Sequence, residues 1–255
     1  MTTIALVQAA ACRDLNRYAL RAAEAGCEAV CFPEAFLTGY CPEEAESRAI
    51  PWDSAPIEAV SRLAQETGID ILAGFLEREA GKFYISQGIF RKDGTKARYR
   101  KTHLGSREKA FFTPGDCLPV FRLSSGLQVG FQLCMETHFP EITQTLALKG
   151  AQVIFAPHAV PRVSGSREVI WGKYIPARSY DNRVYMACCN LWDDRYGGGC
   201  LVTGPRGEVC ASRYEDAPGM LVCSIDRALT ASFRDRALHR SAHFYPAQRR
   251  RDLYL

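Results

Sequence analysis

The chain alternates between two patterns of apolar positions. One has the period of two that half-buried strands show, and the other has the three-to-four spacing of amphipathic helices. The first strand is predicted at residues 3–9 and the second at residues 28–32, with a helix between them that ends near Gly26. This order predicts a βαβ unit with parallel strands. The unit ends at Pro33-Glu34.

The same alternation continues towards the end of the chain. Further strands are predicted at residues 69–76, 83–90, 95–100, 127–134, 152–156, 184–190, 200–203 and 221–225. Further helices are predicted at residues 54–67, 139–149 and 168–182, and a last helix carries Leu229, Phe233 and Ala237 on one face. Pro176 is expected to kink or divide the helix at 168–182, because proline removes a backbone hydrogen bond from a helix interior. The sequence therefore predicts an α/β protein.

Length, composition and charge narrow the class of protein. A chain of 255 residues that is 47% hydrophobic can bury one large core, and no repeat or linker divides it, so residues 1–255 are expected to form a single domain. The net charge of +4 is too small to favour a nucleic-acid partner. No apolar run reaches the roughly 20 residues that span a bilayer. We therefore expect a cytoplasmic protein with no membrane or nucleic-acid partner.

The chain contains eleven cysteines, a number that raises the question of disulfides or a metal site. The number is odd, no Cys-x-x-Cys spacing occurs, and most of the cysteines lie in apolar runs. Most are therefore expected to be small buried hydrophobic side chains. This pattern disfavours a cysteine-rich metal or redox protein, and we expect no metal site.

Cys134 differs from the other cysteines because a predicted strand gives way to a helix there. Alternate residues from Leu127 to Leu133 are apolar, so Cys134 is expected to be the last residue of the strand, and Thr137 is expected to cap the helix that follows. A helix N-terminus favours a thiolate, and its unpaired N–H groups can hold an oxyanion. Both properties are required for acyl transfer.

Two ionisable residues follow other predicted strands. Glu34 lies among aromatic residues, an apolar setting that raises the pKa of a carboxyl group and suits it to act as a general base. Lys101 could stabilise an oxyanion. Considered alone, each could equally be a solvated surface residue. His103 is a competing candidate for the base, since papain-type hydrolases pair cysteine with histidine.

The segments around these residues resemble, in the same order, three signature segments of the nitrilase superfamily of carbon-nitrogen hydrolases. They are Pro33-Glu34-x-Phe36-x-x-Gly39-Tyr40, Arg100-Lys101-x-His103-Leu104 and Cys134-x-Glu136-x-x-Phe139-Pro140-Glu141. Other segments also resemble the family: Phe112-x-Pro114-Gly115-Asp116, Ala177-Arg178-x-x-Asp181-Asn182-x-x-Tyr185, Gly198-Gly199, Pro205-x-Gly207-Glu208 and Arg251-x-Leu253-Tyr254. The resemblance covers nearly the whole chain, and three ordered segments are more specific than any one of them.

The resemblance implies an α-β-β-α sandwich with two mixed sheets, assembled as a homodimer or larger homo-oligomer, with no metal or organic cofactor. It implies that Cys134 is the nucleophile, that Glu34 is the base, and that Lys101 holds the oxyanion together with the backbone N–H of Met135. Glu108 matches the family's second glutamate, which would position Lys101 and the substrate amide; the alternative is a solvated loop residue. Met135 replaces the aromatic residue often found at its position, which is expected to reshape the pocket.

The substrate is less well determined. If the loop after residue 156 borders the pocket as in the family, His158 could hydrogen-bond the substrate, and Arg162 or Arg167 could hold a carboxylate. Each arginine could also be an ordinary surface charge. We expect an amidase-like hydrolase that cleaves a small linear amide through a cysteine thioester and releases ammonia or an amine. The alternatives are an N-carbamoyl compound amidohydrolase, a nitrilase, and a binding module without enzymatic activity.

Overall fold

The computed structural model describes residues 1–234 and 243–253 of the chain. Its strands in this part are β1 (Thr2–Gln8), β2 (Ala29–Cys31), β3 (Asp70–Glu79), β4 (Lys82–Phe90), β5 (Lys96–Arg100), β6 (Phe121–Arg122), β7 (Gln128–Phe131), β8 (Val153–His158), β9 (Tyr185–Asn190), β10 (Cys200–Thr203), β11 (Val209–Arg213) and β12 (Gly219–Ile225). Its α-helices are α1 (Leu15–Glu24), α2 (Ala45–Arg48), α3 (Ala55–Thr67), α4 (Pro140–Leu148), α5 (Arg167–Gly172), α6 (Ile175–Asn182) and α7 (Arg227–Arg234).

The strands of this part form two six-stranded sheets that share one plan. Their orders are β12-β1-β2-β3-β4-β5 and β11-β10-β9-β8-β7-β6. Three parallel strands form the centre of each sheet, β1 to β3 in the first and β7 to β9 in the second. One antiparallel strand flanks each centre on one side and two flank it on the other. The parallel neighbours are connected through helices, as such pairs require.

Buried apolar side chains hold the layers together. One cluster, which includes Leu6 and Phe131, lies between the two sheets. A second cluster packs α1 and α3 on the outer face of the first sheet, where Ile57 is fully buried. A third packs α4, α5 and α6 on the outer face of the second sheet through Ile142 and Trp171. Because each helix layer covers one sheet, the fold is the expected α-β-β-α sandwich with two mixed sheets.

Most elements predicted from the sequence occur, with ends that shift by a few residues. The helix predicted at 168–182 is divided into α5 and α6, and Pro176 lies in the first turn of α6, where a proline is tolerated. Three short elements, α2, β6 and β11, escaped prediction; β11 is largely exposed, so its apolar pattern is weak. Of the residues named from the sequence, Ala237 and Tyr254 lie outside the described part.

Two further observations concern composition. All eleven cysteines lie in the described residues and are free thiols, and six of them are buried, which confirms that most are core side chains. Within residues 1–234 and 243–253, no helix combines the length and the apolar character needed to cross a membrane.

Candidate active site

The Glu34 side chain is fully buried just beyond the end of β2. One carboxylate oxygen, Oε1, accepts a hydrogen bond from Lys101 Nζ at 2.8 Å. The other oxygen, Oε2, has no hydrogen-bond partner among the described residues. A buried carboxylate oxygen without a partner is available to accept a proton from a nearby group.

Gly74 of β3 allows the Glu34 loop to lie directly against the sheet. A Cβ atom at position 74 would stand 2.4 Å from the Ala35 backbone nitrogen and 2.7 Å from the Pro33 carbonyl oxygen. These distances leave no room for a side chain, so the close approach requires glycine. The position of Glu34 therefore depends on a residue in the next strand of the sheet.

The electrostatic setting of Glu34 suits it to act as a base near neutral pH. Burial is the largest cause and raises the pKa of Glu34 to about 7, with Lys101 acting in the opposite direction and Glu108 adding to the rise. The sequence-based expectation that an apolar setting raises this pKa is confirmed. At neutral pH a substantial fraction of such a group is ionised and able to accept a proton.

Lys101 follows β5 directly and lies between two carboxylates. Its backbone N–H donates to the Ile85 carbonyl at 2.9 Å. Its Nζ donates to Oε1 of Glu34 and to Oε1 of Glu108, each at 2.8 Å. Burial alone would lower the pKa of Lys101, but Glu34, Cys134 and Glu108 outweigh burial and raise the pKa. The side chain is therefore a buried ammonium group.

Glu108 begins a short 3-10 helix, Glu108–Ala110, and is buried rather than solvated. Besides Lys101, its Oε1 accepts a hydrogen bond from the Tyr40 hydroxyl at 2.6 Å, and its Oε2 accepts one from the Gly105 backbone N–H at 2.6 Å. These contacts fix the carboxylate beside the ammonium group. Sequence reasoning gave Tyr40 no role, although it ends the first signature segment.

Cys134 does not end a strand, contrary to the prediction. The ladder of β7 ends at Phe131, and Cys134 is the first residue of a 3-10 helix, Cys134–His138. Its φ of 47° lies in the left-handed region, which a non-glycine residue occupies only when its surroundings hold it there. The predicted cap is also wrong, because the residue before α4 is Phe139, whereas the Thr137 hydroxyl donates to the Cys134 carbonyl at 2.7 Å.

The thiol of Cys134 is not held as a thiolate, which corrects a second expectation. Burial is the largest cause of a raised pKa at Cys134, Glu34 and Glu108 act in the same direction, Lys101 acts against them, and the resulting pKa is about 12. Burial and the carboxylates outweigh the ammonium group. The resting sulfur is therefore protonated, and it needs a base to become a nucleophile.

The backbone N–H of Met135 is the second donor expected for an oxyanion. Met135 is the second residue of the Cys134–His138 helix, so its N–H has no acceptor within that helix. The Met135 side chain is 38% exposed and borders the same cavity as Cys134.

Cys134 opens into a cavity of ≈ 370 Å³. Its walls include Glu108, Tyr40 and the buried Tyr196, whose hydroxyl donates to the Tyr40 carbonyl at 3.3 Å. Arg195 also lines it and has no acidic partner among the described residues. The volume is near the lower end of ligand sites, about 300–1,000 Å³. Sequence reasoning missed Arg195 and Tyr196, whose only signal was their position before Gly198-Gly199.

His158 ends β8 and is buried. Its Nδ1 lies 2.7 Å from the Ala156 carbonyl oxygen, so the ring donates from this nitrogen, and its Nε2 has no partner in the described part of the chain. Burial lowers the pKa of His158 to about 3, so the ring is neutral and Nε2 is an acceptor. Its ring packs at a tilt against Trp171, with centroids 4.9 Å apart.

The two arginines predicted from the sequence lie in an adjoining cleft of ≈ 240 Å³ rather than in the cavity that contains Cys134. Arg162 is exposed and pairs with Asp216 at 2.6 Å. Arg167 is half-buried, and its guanidinium donates to the backbone carbonyls of Ser164 and Gly165. Within residues 1–234 and 243–253 it makes no ion pair, so Arg167 is the better placed of the two to receive an anion.

His103, the competing base, lies away from Cys134. Its side chain is exposed, its Nδ1 lies 2.8 Å from the Thr102 hydroxyl, and its ring packs on Phe139. It lines a separate cleft rather than the cavity around the thiol. The geometry therefore favours Glu34 over His103 as the base for the Cys134 thiol.

A family model for carbon-nitrogen hydrolases matches residues 3–235. The chain belongs to the carbon-nitrogen hydrolase family. It is 33% identical to a nitrilase of Pyrococcus abyssi over 223 residues, covering 84% of this chain and 82% of the relative. It is 31% identical to an omega-amidase of Xenopus laevis over 260 residues, covering 96% and 89% of the two chains.

Solved structures agree with this assignment. An amidase of the nitrilase superfamily from Nesterenkonia AN1 superposes with a TM-score of 0.83 at 26% identity, covering 99% of this chain and 95% of that chain. In one mutant of that amidase, the acetamide moiety of fluoroacetamide is covalently added at the active-site cysteine. The expected family, fold and enzyme class are confirmed: this hydrolase is an amidase-like enzyme that acts on C–N bonds other than peptide bonds.

Proposed function

We propose that this hydrolase cleaves a small linear amide, with Cys134 as nucleophile and Glu34 as base. Lys101 and the Met135 N–H bind the oxyanion, and Glu108 positions Lys101 and the substrate amide. The proposal is carried by one observation, the buried Glu34-Lys101-Glu108 array, which acts electrostatically on Cys134 and whose Glu108 shares the wall of one small cavity with that cysteine. No metal or organic cofactor takes part in the proposed steps.

The first half of the reaction forms a thioester. Glu34 takes the proton of the Cys134 thiol as the sulfur attacks the amide carbon, and negative charge develops on the carbonyl oxygen. Lys101 and the Met135 N–H stabilise that charge, and losing one such donor typically costs about 100-fold or more in rate. Glu34 then gives the proton to the departing nitrogen, so ammonia or an amine leaves and the acyl group stays on sulfur.

The second half of the reaction hydrolyses the thioester. Glu34 removes a proton from water, and the resulting hydroxide attacks the thioester carbon. When the second tetrahedral intermediate collapses, the carbon–sulfur bond breaks, and the sulfur regains the proton from Glu34. The products are a carboxylic acid and the resting enzyme, so that one water is consumed for each C–N bond cleaved.

The relatives support an amide over the alternatives. The Xenopus laevis relative is named an omega-amidase, and a mutant of the Nesterenkonia amidase was solved in complex with butyramide. The Pyrococcus abyssi relative is named a nitrilase, so a nitrile stays an alternative substrate, as does an N-carbamoyl compound. A binding module without activity is disfavoured because it has no need of a buried ion-pair array beside a thiol.

The groups around the cavity suggest how the rest of the substrate is recognised. Arg195 lines the cavity and Arg167 the adjoining cleft, and both guanidinium groups are without an acidic partner in the described part of the chain. A substrate that carries a carboxylate distant from its amide would give one of these arginines an acidic partner. His158 is buried and lines neither the cavity nor the cleft, so it is a weaker candidate to accept a hydrogen bond from the substrate. Arg162 is the weaker candidate because Asp216 already neutralises it.

The test is ammonia release from small amides, N-carbamoyl amino acids and nitriles, with Cys134→Ala as the control. We expect release from the amides that falls by at least about 10,000-fold in the variant, since removing a nucleophile typically costs this much or more. Turnover by a correctly folded Cys134→Ala protein would disprove the proposed mechanism. A thiol that reacts with iodoacetamide while no compound is hydrolysed would point to an untested substrate.

We also propose that the protein is a cytoplasmic homodimer or larger homo-oligomer built from one domain. The homo-oligomer is supported by the family resemblance. The free thiols fit a reducing compartment. The single domain is supported by the shared core between the two sheets, to which both halves of the chain contribute.

A further inference from the structure

The Glu136 carboxylate is a point of attachment for the residues that follow Lys101. Its Oε1 accepts hydrogen bonds from the Thr102 backbone N–H at 2.7 Å, the Thr102 hydroxyl at 2.7 Å and the His103 backbone N–H at 3.2 Å. The Tyr99 hydroxyl donates to the same oxygen at 2.6 Å. Three of these donors belong to the two residues directly after the buried ammonium group, so Glu136 fixes where that segment runs.

The other oxygen of the same carboxylate holds the residue before the nucleophile. Oε2 of Glu136 accepts a hydrogen bond from the Leu133 backbone N–H at 2.7 Å. The Glu136 side chain is fully buried, and its own carbonyl oxygen accepts from Gln132 Nε2 at 3.0 Å. These bonds close the tight turn in which Cys134 has its left-handed backbone conformation.

We propose that Glu136 is a positioning residue that sets the distance between the two oxyanion donors. Each oxyanion donor is close in sequence to a residue whose backbone N–H binds Glu136. Lys101 directly precedes Thr102, and Met135 lies two residues after Leu133. Glu136 touches neither substrate nor thiol in this role and acts through the backbone on either side of the cavity. The inference rests on the proposed function, because it assigns Glu136 to the same reaction.

The role predicts a particular kinetic effect. Donors aimed at the developing oxyanion act mainly in the transition state, so a shift in their separation lowers kcat more than it raises KM. A displacement of about 1 Å can cost on the order of 100-fold in rate. Alkylation of the thiol by iodoacetamide forms no oxyanion, and should therefore be little affected by the same displacement.

The variant that tests this is Glu136→Gln. The amide keeps the volume of the side chain and one acceptor oxygen, but its NH₂ group cannot accept from both sets of donors, so one attachment is lost. Asp70→Asn is the matched control. Asp70 is equally buried and accepts from the Lys92 N–H, the Ser124 N–H and the Ser124 hydroxyl, and it lines none of the cavities described above.

The measurements are kcat and KM for the best amide, thermal unfolding, and the rate at which iodoacetamide modifies the Cys134 peptide. For Glu136→Gln we expect kcat to fall about 10- to 100-fold, with KM and the alkylation rate within about threefold of wild type. Asp70→Asn should lower the melting temperature without lowering kcat. If Glu136→Gln does not fold, Tyr99→Phe, which removes one donor, should lower kcat a few-fold.

Three results would overturn the proposal. The first is an unchanged kcat in the Glu136→Gln protein or, if that variant fails to fold, in Tyr99→Phe. The second is a parallel loss of turnover and of thiol alkylation in Glu136→Gln. The third is a loss of kcat in Asp70→Asn equal to that in Glu136→Gln. The last two would show that Glu136 only stabilises the fold. A wild-type protein that hydrolyses no compound tested and whose Cys134 is inert to iodoacetamide would instead overturn the proposed function, and the role of Glu136 with it.

Discussion

Lys101 Nζ lies 2.8 Å from Glu34 Oε1, and both side chains are completely removed from solvent. Burying two charges has a large desolvation cost, which their mutual attraction offsets only when further hydrogen bonds complete the arrangement. Glu108 supplies such a bond to the ammonium group, and its remaining acceptor sites bind Tyr40 and Gly105. The array is therefore an interdependent unit in which each charge requires the others.

The first prediction concerns Lys101→Met. Removing the ammonium group leaves two buried carboxylates without their common partner, and breaking a buried pair in this way costs about 3–5 kcal/mol. We expect a lower free energy of unfolding in urea and a loss of at least about 100-fold in kcat, because the oxyanion loses a donor. Adding Glu34→Gln should recover part of the stability and none of the activity. Unchanged stability in the single variant would contradict the interdependence.

The second prediction is a pH dependence set by Glu34. A general base must be ionised, so kcat/KM and the alkylation rate of Cys134 should rise as the pH increases through the pKa of Glu34, about 7. Below that pH the carboxyl is protonated and both rates should fall. Rates measured between about pH 5 and pH 9 test this. Glu34→Gln should be slow throughout and lack this rise, whereas a flat wild-type profile would exclude Glu34 as the base.

The third prediction concerns Gly74→Ala. The new methyl group would collide with the Pro33 and Ala35 backbone, and such overpacking typically costs about 1–3 kcal/mol. Because the displaced loop carries Glu34, kcat should fall together with the melting temperature. Gly172→Ala is the matched control, since its Cβ would meet nothing within 4 Å. Equal behaviour of the two variants would show that the close approach has no functional consequence.

The fourth prediction concerns which arginine binds a carboxylate of the substrate. With an amide that carries a distant carboxylate, Arg195→Gln or Arg167→Gln should raise KM by about 10-fold or more, since a charge-assisted hydrogen bond contributes about 1.5–3 kcal/mol. A neutral amide of the same length should be unaffected. Arg162→Gln serves as the control, because the Arg162 guanidinium is already paired with Asp216. This variant should leave KM unchanged for both the charged and the neutral amide. A uniform effect on charged and neutral amides would argue against carboxylate recognition.

The fifth prediction concerns assembly. Light scattering at micromolar concentration should give at least twice the chain mass of 28.4 kDa. This expectation follows from the homo-oligomers implied by the family resemblance. A monomer mass that persists as the concentration is raised would refute the assembly and leave the proposed chemistry intact.

The sequence was more informative about which residues are candidates for the reaction than about the geometry around them. Glu34 and Cys134 were identified from their positions at predicted strand ends, because local apolar periodicity marks where strands stop. Glu108 was identified only through the family resemblance. Arg195 was missed because its place beside Cys134 depends on how distant loops pack, and periodicity within a segment carries no information about that packing.

The turn at Cys134 shows why the finer structure was not predictable. The apolar alternation continues to Leu133, although the strand ladder stops at Phe131, so the pattern alone extends the strand too far. The left-handed conformation of Cys134 is maintained by contacts from Glu136 and Thr137 that act across the turn. The rise in the pKa of Cys134 has burial as its largest cause, with Glu34, a group distant in sequence, adding to it, and neither is visible in the local sequence.

The candidate site is divided between the two sheets and between the two halves of the chain. Glu34 and Lys101 belong to loops of the first sheet, whereas Cys134 follows a strand of the second. Neither half holds the complete set, so a fragment that folded alone would carry the proposed base without Cys134 or Cys134 without the proposed base. We therefore expect amide hydrolysis only from a chain whose two sheets have packed against each other.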